Sequence, residues 1–175
     1  MMLMENDLKK RKPTRLKDFD YGTTGAYFVT VCTENRKPIL SDIINPVGEG
    51  LAPPEYSVKL TSCGEIAKEQ LKLLENRFPN VSIENFVIMP NHIHAIIFLH
   101  EKTGGASPSP TLNDVICVFK SLTARICKQR FGIEKIFQRS FHDHIIRDRE
   151  DYEKHVKYIC ENPMNWYFDE LYEEE

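Results

Sequence analysis

Apolar and polar positions change period several times along the chain, and each change marks an element. The run Tyr27-Phe-Val-Thr-Val-Cys-Thr33 is β-branched and aromatic, which predicts a strand. Ser57 to Thr61 alternates, as either a short strand or a lead into the helix that follows. Ser62-Cys-Gly-Glu65 reads as a capping box, opening a helix to about Arg77 with Ile66, Leu71, Leu74 and Phe78 near helical spacing. Ser82 to Met89 and His92 to Leu99 are strand-like runs joined at Pro90-Asn91, so an antiparallel pair is expected. Leu112 to about Phe131 carries Val115, Phe119, Leu122 and Ile126 in helical register. Phe137 to Ile146 reads as strand or loop. Asp148 is a good N-cap for a last helix ending at Asn162-Pro163.

This alternation of strands and helices predicts an α+β fold. At 175 residues, 41% of them apolar, the chain is expected to make one domain with a substantial core. We divide it into a basic N-terminal arm at 1–24, a domain at 25–168 and an acidic tail at 169–175. The longest apolar run, Ala95 to Leu99, is far short of the roughly 20 residues that span a bilayer. The charged start lacks the apolar stretch of a secretion signal, so a cytoplasmic location is expected, with no membrane partner. Cys32, Cys63, Cys117, Cys127 and Cys160 are odd in number, lack a Cys-x-x-Cys spacing and read as buried, reduced thiols.

The formal charge of −3 conceals a split. Residues 161–175 hold six acids and no base, which leaves 23 basic against 20 acidic groups before them. Lys9, Lys10, Arg11 and Lys12 crowd the start, and Lys120, Arg125 and Lys128 lie in a second basic stretch. Such clusters suit phosphate, although an ordinary solvated face has the same composition.

Candidate chemistry concentrates at Met89-Pro-Asn-His-Ile-His-Ala95. Side chains alternate on a strand, so His92 and His94 leave the same face while Ile93 enters the other. Two neutral imidazoles held by a sheet are suited to a divalent metal. His142-Asp-His144 repeats the spacing, but its charged middle residue and polar flanks suit local hydrogen bonding better. On the last helix Tyr158 and Asn162 are four apart and share a face. If that face lies over the sheet, Asn162 can supply a third ligand and Tyr158 a nucleophile.

Taken in order, Tyr27 to Thr33, Met89 to His94, Phe119-Lys-Ser121, Phe137-Gln-Arg-Ser140, Asp143 to Arg147 and Tyr158-Ile-Cys-Glu-Asn-Pro163 resemble the single-tyrosine HUH transposases. The closer likeness is to their domesticated relatives, the REP-associated tyrosine transposases. The resemblance implies a ferredoxin-like antiparallel sheet with helices packed on it, the His-hydrophobe-His motif on a central strand and the nucleophile on a C-terminal helix. It places the nucleophile at Tyr158 and the metal, Mg2+ or Mn2+, on His92, His94 and Asn162. It further implies single-stranded DNA cleavage and strand transfer at hairpin-associated sites through a 5′-phosphotyrosine link, by a monomer or a homodimer. DNA capture would fall to Lys120, Arg125, Lys128 and the basic arm. Two alternatives share this scaffold: a nucleic-acid-binding regulator without turnover, and a metal-dependent hydrolase that uses water. His155, one turn before Tyr158, is a conceivable base. Family members often have Trp where this chain has Phe137, which bears on packing.

Overall fold

The computed structural model describes residues 24–44, 57–101 and 110–172. Lys9, Lys10, Arg11 and Lys12 lie outside them. The principal sheet has four antiparallel strands in the order β4-β5-β1-β6. These are β1 (Gly25–Cys32), β4 (Val81–Ile88), β5 (His92–Leu99) and β6 (His142–Ile146), so β1 and β5 are central. A two-stranded sheet pairs β2 (Ser41–Ile44) with β3 (Ser57–Leu60). Helices α1 (Ser62–Arg77), α2 (Leu112–Phe131) and α3 (Arg149–Glu161) complete the element order. Leaving the small sheet aside, the order β-α-β-β-α-β is the ferredoxin-like arrangement.

Alternation on the central strands divides the molecule. Tyr27, Val29 and Val31 of β1, with Ile93, Ala95 and Ile97 of β5, join Leu71 and Leu74 of α1 and Val115, Ile116 and Phe119 of α2 in one buried core. Each large apolar side chain fully removed from water there contributes roughly 1.5–3 kcal/mol. Phe28, Thr30, His92, His94 and Ile96 therefore face the other side of the sheet, where α3 packs on β4 and β5. Tyr152 anchors that helix: its hydroxyl donates to Glu84 Oε2 at 2.6 Å and accepts from Asn85 Nδ2 at 3.1 Å.

Helix ends follow from local chemistry. Asp148 caps α3 by accepting from the Asp151 amide at 2.9 Å, as expected. A capping box between Thr111 and Asp114 opens α2, and Gly132, at φ 69°, closes it in the left-handed conformation that glycine adopts without strain. The box expected at Ser62 is corrected by one residue: Thr61 is the N-cap of α1 and its Oγ1 accepts from the Gly64 amide at 3.1 Å. Gly64 itself admits no larger side chain, because a Cβ there would lie 1.9 Å from the Leu40 carbonyl oxygen.

Two cysteines depart from the reading of buried thiols. Cys32, Cys63 and Cys127 are buried, but Cys117 on α2 and Cys160 on α3 are exposed. Both lie on the solvent side of helices whose opposite faces supply the packing. No helix among the described residues is long and apolar enough to cross a membrane.

Candidate active site

The turn between β4 and β5 presents the two histidines, and the neighbouring backbone pins it. Thr33 donates to the Asn91 carbonyl from both its amide (2.8 Å) and its hydroxyl (3.0 Å), and the Leu40 amide donates to the Pro90 carbonyl at 2.9 Å. His92 and His94 leave β5 on the same face, both fully buried, with ring centroids 4.4 Å apart.

Each imidazole is oriented through Nδ1. His94 Nδ1 meets Thr30 Oγ1 at 2.9 Å and His92 Nδ1 meets Asn91 Oδ1 at 2.8 Å. The Asn91 nitrogen is occupied, donating to the Leu171 carbonyl at 2.6 Å, so its oxygen faces His92 and takes a hydrogen from Nδ1. Nε2 of His92 is then left with a free lone pair. Nε2 of both histidines and Oδ1 of Asn162 are buried without a hydrogen-bond partner. Three orphaned polar atoms are costly in a dry site, and the donor set they offer suits a cation.

Burial holds both imidazoles neutral. His92 is lowered from its ordinary 6.5 to about 4, chiefly by desolvation and against the raising influence of Asp169 and Asn162. His94 is lowered to about 2 by desolvation, with repulsion from His92 and His155 adding to it. Neutral imidazole is the form that ligates metal.

The end of α3 completes the cluster. Asn162 is its C-cap and is buried, while Tyr158, one turn earlier, remains 44% exposed. The Tyr158 ring lies 5.1 Å from that of His94 and 5.9 Å from that of Phe28. Tyr158, the two histidines and Asn162 thus meet within one chain. Asp169, the first residue of the acidic tail, also reaches this cluster. Its Oδ2 accepts from Asn162 Nδ2 at 2.8 Å and from the Tyr158 hydroxyl at 3.4 Å, and its Oδ1 accepts from the Leu171 amide at 2.7 Å. By holding the Asn162 nitrogen it turns the Asn162 oxygen toward the imidazoles, the usual task of an outer group at a metal site. Donor atoms of His92, His94 and Asp169 lie within 4.8 Å of one another. Desolvation, followed by the Asp169 charge and hydrogen bond, raises the Tyr158 phenol to about 12.

A cleft of about 720 Å3 opens beside the tyrosine, with Phe28, His94 and Tyr158 among its walls, Arg36, Lys154 and Lys157 supplying positive charge and Glu161, Asp169 and Glu170 negative charge; Lys157 Nζ stands 3.7 Å from Glu161 Oε1. None of these three cations was nominated from the sequence, since they are scattered between β1 and α3 and form no run. Of the expected basic residues, Lys120, Arg125 and Lys128 lie elsewhere. Lys120 Nζ, on α2, donates to the carbonyls of Gln138 (2.6 Å) and Arg139 (2.9 Å), and Lys128 pairs with Glu134 at 2.6 Å. Arg125 lies on the same helix, which packs on the sheet face opposite the cleft.

No family model matches the chain. A protein of Haemophilus influenzae (strain ATCC 51907 / DSM 11121 / KW20 / Rd), described only as uncharacterized, is 30% identical over 177 aligned residues that cover 93% of each chain. Among solved structures, a REP-associated tyrosine transposase bound to a REP hairpin superposes with a TM-score of 0.60 at 22% identity, over 87% of this chain and 74% of that one. A Deinococcus radiodurans R1 transposase candidate gives 0.48 at 14% identity, over 85% and 96%. The chain therefore belongs to one family with the Haemophilus influenzae protein, and its fold is that of the REP-associated tyrosine transposase.

Proposed function

We propose that the protein is a metal-dependent single-stranded DNA endonuclease and strand transferase that works through a 5′-phosphotyrosine link at hairpin-associated sites. The observation that carries this reading is the convergence of three buried, unpartnered polar atoms, on His92, His94 and Asn162, beside the half-exposed phenol of Tyr158. The motif order along the chain and the fold shared with a transposase bound to a REP hairpin support it.

His92, His94 and Asn162 would hold Mg2+ or Mn2+, which supplies Lewis-acid polarisation of a phosphate oxygen and a fixed position for the phosphate. The remaining work belongs to the chain. Tyr158 Oη attacks the phosphorus; the bond from Oη to phosphorus forms, the bond from phosphorus to the 3′ oxygen breaks, and the departing strand ends in a 3′-hydroxyl. A hydroxyl of a second strand reverses the step and frees the tyrosine. The phenol must lose its proton although burial holds it near 12, and Asp169, already its hydrogen-bond acceptor, is the group placed to receive that proton. Over the cycle the proton ends on the released 3′-hydroxyl.

Arg36, Lys154 and Lys157 line the approach, so they, together with the arm at Lys9 to Lys12, are the phosphate contacts of this reading. Phe28, beside the tyrosine, offers an unpaired base a surface on which to stack. Lys120 contributes indirectly, by tying the 138–140 backbone to α2.

Incubating the protein with labelled single-stranded hairpin DNA and Mn2+, then resolving the products under denaturing conditions, tests the reading. A protein-linked DNA band that Tyr158→Phe abolishes is expected. Cutting without any such band, retained by Tyr158→Phe, would instead mark a hydrolase that uses water, and hairpin binding with no cutting would mark a regulator.

A further inference from the structure

The second His-x-His spacing, which the proposed reaction does not use, falls on β6. His142 pairs with Thr30 and His144 with Phe28 across β1, so both project from the same sheet face as His92 and His94. His144 meets the first turns of α3 there. Its Nε2 lies 2.8 Å from Asp151 Oδ2, and on the other carboxylate oxygen Asp151 Oδ1 lies 3.3 Å from His155 Nδ1. The two imidazoles stack at 4.7 Å. One donor atom from each of the three residues lies within 4.8 Å of the others.

The two imidazole–carboxylate spacings, each to a different oxygen of Asp151, lie near the spacing of donors around one ion. With metal–ligand bonds of about 2.0–2.1 Å, neighbouring donors of a tetrahedral cation stand about 3.3 Å apart. Two imidazoles and one carboxylate form a donor set that suits a borderline divalent ion and leaves a fourth position for water. Side-chain exposures of 47%, 21% and 15% for His144, Asp151 and His155 give an ion a route in while the helix covers one side.

We propose that His144, Asp151 and His155 form a second divalent-cation site, of the zinc class, that ties the tyrosine-bearing helix to the edge strand β6. The ion takes the place of the hydrogens now shared between the imidazoles and the carboxylate. Each imidazole can carry its hydrogen on its other ring nitrogen and so present a lone pair to the ion. His155 gives up its 2.8 Å bond to the Asp151 carbonyl. The site does not depend on the proposed reaction, because none of its ligands belongs to the His92, His94 and Asn162 set.

Equilibrium dialysis of the full chain against Zn2+, with bound metal counted by elemental analysis, decides the matter. The expected result is two equivalents in the unaltered protein, loss of one on His144→Ala or His155→Ala, and recovery in His144→Cys, which restores a zinc ligand. His144 is half-exposed on an edge strand, and circular dichroism checks that its variants keep their fold. An unchanged zinc count in His144→Ala overturns the proposal. In a His92→Ala background one equivalent should persist and disappear when His144→Ala is added; its persistence after that addition contradicts the assignment.

Discussion

Asn91 sets the protonation of His92. Its amide nitrogen donates to the Leu171 carbonyl at 2.6 Å, which leaves its oxygen, 2.8 Å from His92 Nδ1, to take the ring hydrogen. The lone pair on Nε2 is thereby turned inward, toward His94 and Asn162. Asn91→Leu removes that control while keeping the approximate size of the side chain, and metal affinity should fall about 10- to 100-fold. Isothermal titration with Mn2+ reads the change, which should be accompanied by no loss of fold.

Removing the nucleophile should separate chemistry from binding. Tyr158→Phe deletes a hydroxyl that is 3.4 Å from Asp169 and leaves the ring contacts with His94 and Phe28 intact. Covalent attachment to DNA should vanish while Mn2+ affinity stays within about twofold. A comparable loss of metal binding in this variant would place Tyr158 among the ligands.

Asp169 acts on the same phenol. Because burial is the main cause of the phenol's elevation and the Asp169 charge only the second, Asp169→Asn should lower the Tyr158 pKa from about 12 without returning it to its ordinary 10. An ultraviolet titration of tyrosinate, with Tyr158→Phe as the subtraction control, measures it. If Asp169 also receives the proton during attack, the same variant should lose about 10²–10⁴ in cleavage rate despite the easier ionisation.

Stability of the metal-free protein should depend on the two buried imidazoles. The folded chain holds His92 at about 4 and His94 at about 2, while the unfolded chain protonates both near 6.5. Below 6.5 the unfolded state therefore binds protons that the folded state refuses. This contribution to stability is complete above about pH 6.5 and is lost as pH falls, by about 2 kcal/mol per histidine at pH 5. Urea midpoints at pH 7.5 and 5 should differ less in His94→Gln than in the unaltered protein.

Gly64 offers a check on the fold alone. A Cβ there would stand 1.9 Å from the Leu40 carbonyl oxygen, a backbone atom held by the Thr61 amide at 3.0 Å. Gly64→Ala should cost about 1–3 kcal/mol or more in a denaturant titration.

Much of this was legible along the chain because the deciding signals are local. β-Branched and aromatic content marked β1, strand-like runs on either side of Pro90-Asn91 marked β4 and β5, helical spacing marked α1 and α2, and Asp148 marked the start of α3. The placement of His92, His94, Tyr158 and Asn162 also follows from period, once α3 lies over the sheet. What escaped depends on tertiary contacts that no period along the chain encodes. Asp169 is one acid in a run of acids, and only the fold brings it to Asn162, seven residues earlier, and to Tyr158. Arg36 and Lys154 meet at the cleft from elements more than a hundred residues apart. Lys120 had the right charge for phosphate, but its ammonium is engaged by backbone carbonyls. Strand β2 is too short to carry a period, and the cap of α1 fell on Thr61 because a threonine beside Ser62 competes for the same task.

The most direct measurement is mass spectrometry of the digested protein after incubation with a hairpin oligonucleotide and Mn2+. The peptide containing Tyr158 should gain a 5′-phosphorylated nucleotide remnant, and His92→Ala or His94→Ala should prevent the gain. DNA that is cut while the Tyr158 peptide keeps its unmodified mass, with every cleaved end carrying a free 5′-phosphate, would contradict this expectation.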